Sequence, residues 1–537
     1  MANQQVNRVG ARDFDGVTPP PRILLWGAVG LFLLLIVGAT VGFIILKARP
    51  SMSELLGVAV IAAPIFTVGS VVVAAALRNY LPRHSVTIIV IGWVLLWLVV
   101  SGAFIAMFRN TLPPGQRETV KHYLPFMTIF DPPLPPSDSS LPTPAPNETS
   151  NISADDLLNA PLGITSPQSE PPPAVVQPAA TATPEVLPTS PPTAEPTAAF
   201  TATPAPTQVA VVPVSNSEQI NRPLFAQLGG ITPVKQGWNN CGPANITMAL
   251  SYYGWTQTQD YALKFLKPDR EDKNVNPWEL VAFVNEQSQV RSLYRVGGDM
   301  ELIKRLLANK LPVLIETGYM YEGSDWLGHY QTVVGFDDSQ RIFYVYDSYL
   351  GTGENGNGMP KSYDDFDSFW ENFNRTFIVL YRPEEEILVR DILGERADET
   401  RSYELAAETA RTEARANPRN AFAWFNLGSS LTKLGQYEQA AAAFDKARQV
   451  GTHWRMTLYQ FGPFEAYFNV GRYDDVLSLV EANLNNGGQY IEESYYWQGK
   501  VLAAKGDNAK ATAAFKQALV HNPRYADAQN ALSALPK

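Results

Sequence analysis

The chain of 537 residues contains a single cysteine, Cys241, and the residues around it decide what a lone thiol can do there. It lies in QGWNNCGPANITMALSYYGW, Gln236 to Trp255, where Asn239 to Pro243 is poor helix material and Ile246, Met248, Ala249, Leu250 and Tyr253 then recur at helical spacing. Cys241 is therefore expected where a loop enters a helix. Unpaired N–H groups and the positive end of the helix dipole stabilise a thiolate at that place. Gly242 leaves room for a substrate backbone near the sulfur, and Gln236, five residues earlier, is placed to aim its amide at an oxyanion. A thiolate needs a base, and between Arg222 and Arg382 the one histidine is His329, in GHYQTVVGFDD. Two strand-like runs, His329 to Phe336 and Gln340 to Tyr346, flank a turn at Asp337, Asp338 and Ser339. Pairing Phe336 with Gln340 sets His329 directly opposite Asp347, with Cβ atoms about 5 Å apart, so that the carboxylate orients the imidazole while its other nitrogen faces the sulfur. The chemistry this set supports is acyl transfer through Cys241, and it requires no cofactor. Trp238, Gly242, Trp326 and Tyr330 are the candidates for lining a substrate groove.

The order Gln, then Cys-Gly-Pro-Ala opening a helix, then Gly-His at a strand start, then Asp at the end of the next strand, resembles the bacteriocin-processing, double-glycine-leader peptidases and their stand-alone relatives. The resemblance covers about Arg222 to Arg382. It implies an α+β, papain-like cysteine peptidase domain in which Cys241 is the nucleophile, His329 the general base and acid, Asp347 the orienting carboxylate and Gln236 the oxyanion donor. The Gln-to-Cys spacing is one residue shorter than usual in processing peptidases, and no Gly-x-x-x-x-Gly-Lys loop follows, so the transporter ATPase of that family's exporters is missing.

Each residue also has a plainer reading. Free cysteines are commonly small buried hydrophobes. A lone histidine serves as a structural donor, Asp347 begins the turn Asp347-Ser348-Tyr349, and Gln236 ties loop backbone together. The acidic group Asp364, Asp365 and Asp367 lacks calcium-loop spacing and reads as a helix start, so no metal site is expected. The same constellation also serves other thiol acyltransferases.

The elements that would carry this chemistry sit in a multi-domain chain. After an N-terminal tail, 1–22, three apolar runs, 23–46, 55–77 and 85–108, contain no charged residue, and each is long enough for a hydrocarbon core of about 30 Å. They are expected as an all-α transmembrane bundle, 23–110, with the lipid bilayer as partner. The flanking basic residues do not choose an orientation, since Arg8, Arg12, Arg22, Arg78 and Arg83 balance Lys47, Arg49, Arg109, Arg117 and Lys121. The next stretch, 111–221, is rich in Pro and Thr and is expected as a disordered stalk. It favours a multi-pass membrane protein with its later domains on the extracytoplasmic side. No Lys or Arg lies between Lys121 and Arg222, so this region supplies most of the formal charge of -10. Nothing resembles the basic stripe that nucleic acid requires.

The peptidase-like domain is expected over 222–383, and an all-α tetratricopeptide solenoid over 384–537. Trp424, Leu427, Gly428, Gly435, Ala440, Phe444 and Ala447 follow the tetratricopeptide pattern. Tyr495, Gly499, Gly506, Ala511, Phe515, Ala518 and Pro523 repeat it, and Gly471 and Tyr473 mark a weaker middle copy. Small residues at Gly435, Gly471 and Gly506 would let paired helices approach. Arg401 to Ala416 is expected as an opening helix and Ala526 to Leu532 as a closing one. The combined expectation is a membrane-anchored cysteine peptidase acting on a peptide or protein, whose repeats recruit a protein partner or the substrate. The alternatives are a catalytically silent peptidase-like binding module and a cell-surface interaction scaffold.

Overall fold

The computed structural model describes residues 222–320 and 326–536, together with 91, 102, 104–110, 117, 120–121, 124–130, 141–144 and 152–161. The chain divides into two compact units, Met1–Ser137 and Asp138–Lys537. In the first, Phe108, Val120 and Met127 are buried together, with Phe104, Ile105 and Leu124 packed against them. No helix among the described residues is long and apolar enough to cross a membrane, which corrects the expected transmembrane bundle, its bilayer partner and the multi-pass location. The runs 23–46 and 55–77 lie outside the described residues, and of 85–108 only Ile91, Gly102 and 104–108 are described. Hydropathy does not separate a membrane span from a helix that ends in a protein interior, and Phe108 is buried among side chains of its own unit.

Part of the stretch expected to be a disordered stalk is ordered within the second unit. Helix α1, Ala154–Asn159, opens on a capping box in which Ser153 Oγ accepts from Asp156 N–H at 3.1 Å and the Asp156 carboxylate accepts from Ser153 N–H. Leu157 and Leu141 are buried in the core of the repeats, and the Leu141 N–H bonds the Thr452 carbonyl at 2.9 Å.

The peptidase-like part is built on one antiparallel sheet. Its strands are β1 (Phe225–Gln227), β2 (Arg291–Arg295), β3 (Val313–Met320), β4 (Trp326–Asp337), β5 (Ile342–Asp347), β6 (Met359–Ser362) and β7 (Phe377–Tyr381), in the order β2-β7-β3-β4-β5-β6, with β1 pairing the far end of β4. Helices α2 (Cys241–Ser251), α3 (Gln259–Leu266) and α4 (Pro277–Gln287) share a core with Leu314, Tyr330, Ile378 and Leu380. Helices α5 (Met300–Ala308), α6 (Tyr363–Glu371) and α7 (Glu386–Leu393) share another with Val313, Val333, Phe377 and Val379. Alternate residues of the same strands thus feed two cores, which is why β7, FIVLY, reads as an unbroken apolar run and is buried throughout. Trp370, wholly buried at the end of α6, is the largest side chain there, and its truncation to Ala would cost about 3–5 kcal/mol.

The repeats follow as α8 (Glu399–Ala416), then the pairs α9 (Ala421–Lys433) with α10 (Tyr437–Val450), α11 (Gly462–Asn469) with α12 (Tyr473–Asn485), and α13 (Glu492–Ala504) with α14 (Asn508–His521), closed by α15 (Ala526–Ala534). Gly435, Gly471 and Gly506 adopt φ of 74°, 76° and 83° in the turns within each pair, and a Cβ at Gly471 or Gly506 would meet nothing. Their smallness serves the left-handed backbone and not helix approach. Close approach belongs to Gly428 and Gly499, where a Cβ would lie 2.8 Å from Phe444 and 2.5 Å from Phe515.

The array docks on both halves of the peptidase-like part. Near the sheet, Asn426 Nδ2 donates to the Glu371 carbonyl at 2.7 Å, Asn374 Nδ2 to Ser430 Oγ at 3.0 Å and Gln460 Nε2 to the Asn372 carbonyl at 3.1 Å. Near the helices, Asn276 Nδ2 donates to Glu493 Oε1 at 2.8 Å, Lys273 Nζ to the Gly487 carbonyl at 2.8 Å and Arg524 to the Lys264 carbonyl at 2.6 Å. The repeats therefore span the junction between helices and sheet, where Cys241 lies.

Candidate active site

Cys241 is the first residue of α2, as its sequence context requires. The preceding loop is fixed from below by the buried Lys267, whose Nζ donates to the carbonyls of Asn239, at 2.8 Å, and Asp272, at 2.6 Å. One turn into the helix, Asn245 Nδ2 reaches the Cys241 carbonyl at 3.0 Å, the Tyr330 carbonyl at 2.7 Å and Ser348 Oγ at 3.0 Å, which bolts α2 to β4 and to the turn after β5. Ser348 Oγ in turn donates to Gln236 Oε1 at 2.6 Å, while the Gln236 N–H bonds the Ser348 carbonyl at 2.8 Å. With its carbonyl end taken, Gln236 has its amide NH2 as the end able to donate elsewhere.

His329 and Asp347 meet, though not by direct opposition. The turn closes on the pair Asp337 and Ile342, and Phe336 faces Phe343, so the hairpin is three residues out of the expected register. Carried on unchanged, that register would set Asp347 opposite Thr332 and on the other face from His329. A β-bulge between Val333 and Gly335 adds one residue to β4 and pairs Asp347 with Gln331, two positions from His329 and on its face. The imidazole Nε2 lies 3.1 Å from Asp347 Oδ1. Gln331 Nε2 donates to Asp347 Oδ2 at 2.7 Å, and the N–H groups of Tyr349 and Leu350 donate to Oδ1 at 2.8 and 2.9 Å. Asp347 is at once the histidine's partner and the first residue of a turn. Gln331 was not foreseen, although strand alternation places it on the same face.

His329 and Cys241 line one small pocket. Burial pushes the thiol up, but the His329 hydrogen bond and charge, the Tyr330 N–H and the Lys267 charge outweigh it, and its pKa falls below the ordinary value. Burial likewise opposes the imidazolium, yet the Asp347 charge and hydrogen bond, aided by Cys241, raise His329 to about 10. Burial opposes the Asp347 carboxylate too, and His329, the Leu350 N–H and Gln331 hold it well below the usual carboxylate range. All three shifts favour a thiolate and imidazolium at neutral pH.

The groove candidates divide. Gly242 and Tyr330 line a pocket of about 10 Å³ beside Cys241, together with Glu316, Gly328 and Tyr459. The Tyr330 ring itself belongs to a core, its hydroxyl bonded to the Val275 carbonyl at 2.9 Å. A Cβ on Gly242 would lie 3.2 Å from Val275, so this glycine admits the segment before α4. Trp238 donates to Glu271 Oε2 at 3.1 Å and does not line the pocket. Trp326 is buried, donates to Asn372 Oδ1 at 2.8 Å and stacks on Phe373 against Tyr459 of the repeats. Its partners lie far along the chain, beyond local sequence signals. The acidic group at the start of α6 is a helix start, with Ser362 Oγ capping Asp365 N–H and Asp367 paired to Arg375. No group of three or more metal-ligating side chains occurs among the described residues.

Residues 219–378 match the Peptidase_C39 like family, and residues 393–452 and 492–519 match tetratricopeptide repeat models. The chain thus carries a C39-like peptidase domain followed by tetratricopeptide repeats. A solved structure of a C39-like peptidase from Bacillus anthracis is similar at 13% identity and TM-score 0.25, over 29% of this chain and 98% of that one. The peptidase domain of Streptococcus ComA is similar at 18% identity and TM-score 0.22, over 28% and 98%. MamA is similar at 17% identity and TM-score 0.22, over 24% and 75%. No curated protein matches the chain.

Proposed function

We propose that the chain is a cysteine peptidase whose repeats recruit a protein partner or the substrate. The observation that carries this reading is the position of His329, which lines one small pocket with Cys241 and is hydrogen-bonded to the Asp347 carboxylate. The Cys241 thiolate attacks the peptide carbonyl carbon, forming a C–S bond, while the Cys241 N–H and the Gln236 amide receive the oxyanion. The C–N bond then breaks and the leaving amine takes the proton of His329. Water, giving a proton back to His329, hydrolyses the thioester and returns the thiolate. Asp347 keeps the imidazole oriented through the cycle and stabilises its charged form before acylation and after hydrolysis.

The test is to treat the native chain with a peptide carrying an electrophilic carbonyl and to follow adduct formation at Cys241. Labelling of the wild type and its loss in His329→Ala are expected. Equal labelling of the two would remove the case for an activated thiolate.

A further inference from the structure

A second and much larger hollow, of about 900 Å³, adjoins the nucleophile's pocket. One wall is α4 of the peptidase-like part, with Trp278 and Glu286, and the other is formed by α9, α11 and α13, the first helix of each successive repeat pair. It is thus the inner face of the array, closed against the peptidase. Phe468, Tyr496 and Trp497 line it from the repeats. Trp278, 48% exposed, lines it from the opposite side. The charges there are of both signs, with Lys433 paired to Glu465 and Lys500 lying over the Phe468 ring.

Glu316 and Tyr459 line both this chamber and the small pocket at Cys241, so the two spaces meet at these residues. Tyr459, between α10 and α11, packs on Trp326 and Phe373. A Cβ on Gly328 would lie 3.1 Å from its ring. About 10 Å³ is roughly the room of one water, and Tyr459 is one of its walls, so a peptide entering from the chamber would displace the Tyr459 side chain.

We propose that this chamber binds the substrate polypeptide on one side of the scissile bond, and that it takes an extended, unfolded segment bearing apolar side chains, threaded beneath the repeats and past Tyr459 to Cys241. The proposal rests on the reading of Cys241 as a peptidase nucleophile. Three observations select the occupant. The chamber shares Glu316 and Tyr459 with the nucleophile's pocket, so a chain lying in it is brought next to the wall of that pocket. The array is bonded to both halves of the peptidase-like part, which excludes a folded surface and admits a thread. The aromatic walls, with Trp278, Phe468, Tyr496 and Trp497, suit apolar side chains.

The full chain is tested with two electrophiles, a small haloacetamide and an apolar ten-residue peptide ending in the same warhead. The peptide without a warhead is also titrated against Cys241→Ala by fluorescence anisotropy. Trp278→Ala and, on the facing wall, Phe468→Ala are each expected to slow peptide labelling about tenfold and weaken its binding similarly, with haloacetamide labelling unchanged. Tyr459→Ala should speed haloacetamide labelling several-fold. Wall variants that leave peptide binding and labelling intact, or that slow both reagents equally, would overturn the chamber. If the peptide binds through the walls but Cys241 reacts with neither reagent, even in Tyr459→Ala, the peptidase reading fails and the chamber stands as a peptide site.

Discussion

The candidate active site and the interior of the repeats both bury charge, and the difference lies in the cation. In the array, Arg472 bonds Asp445 at 2.7 Å and Asp475 at 2.7 Å, and Arg448 bonds Asp475 at 2.7 Å, all deep in the packing. Guanidinium does not give up its proton, so this network can only hold helices together. At the centre, Asp347 faces an imidazole instead, and the imidazole also touches a thiol. A buried carboxylate paired with arginine makes a scaffold, whereas one paired with histidine beside a cysteine makes a proton that can move.

The contrast can be broken at either end. The largest effect is expected from Asp445→Ala, which leaves the Arg472 charge poorly compensated and should cost about 3–5 kcal/mol in denaturant unfolding, while the folded protein labels at Cys241 as before. Asp347→Asn should do the reverse. Its amide oxygen still accepts the Tyr349 and Leu350 N–H groups, but Gln331 loses its acceptor, so the loss of stability should be smaller than in Asp445→Ala, while peptide labelling at pH 7 falls about a hundredfold. Gln331→Ala removes one hydrogen bond from that carboxylate and should lower the labelling rate about tenfold.

A third buried group sharpens the comparison because it has almost no cation. Where the array meets the helices, Asp272, Glu279, Glu492 and Glu493 lie close, bonded chiefly to the amides of Asn274, Asn276 and Asn522, with Lys267, Asp269 and His521 at the margin. Burial, then the Glu492 charge, raises Glu279 to about 8. The stability it contributes is full below about pH 4, where both states hold the proton, and is lost as pH rises through about 8. Unfolding midpoints should therefore fall across that window, and Glu279→Gln should flatten the slope, by at most about 1.4 kcal/mol per pH unit.

What the sequence disclosed was local. The loop-to-helix setting of Cys241 and the repeat pattern around Trp424 and Tyr495 need only neighbouring residues, and both segments took the expected form. His329 and Asp347 were expected on one face and do share it, but through a bulge at Val334 and a wider turn that no local signal marks. Trp326 was taken for a groove wall because its partners, Asn372, Phe373 and Tyr459, are 46 to 133 positions away. The capping box at Ser153 was present in the residues yet hidden by the proline-rich composition around it. The docking of the array depends on side-chain amides such as Asn276 and Asn426 meeting distant backbone or carboxylate groups, and periodicity carries no trace of that.

The most direct test of the account is the pH dependence of Cys241 alkylation by a small haloacetamide in the native chain, beside His329→Ala. A thiolate held by an imidazolium predicts a wild-type rate whose pH midpoint lies below the ordinary thiol value of about 8.5, with the variant's midpoint at or above that value. Superimposed profiles, both with a midpoint near that value, would contradict it.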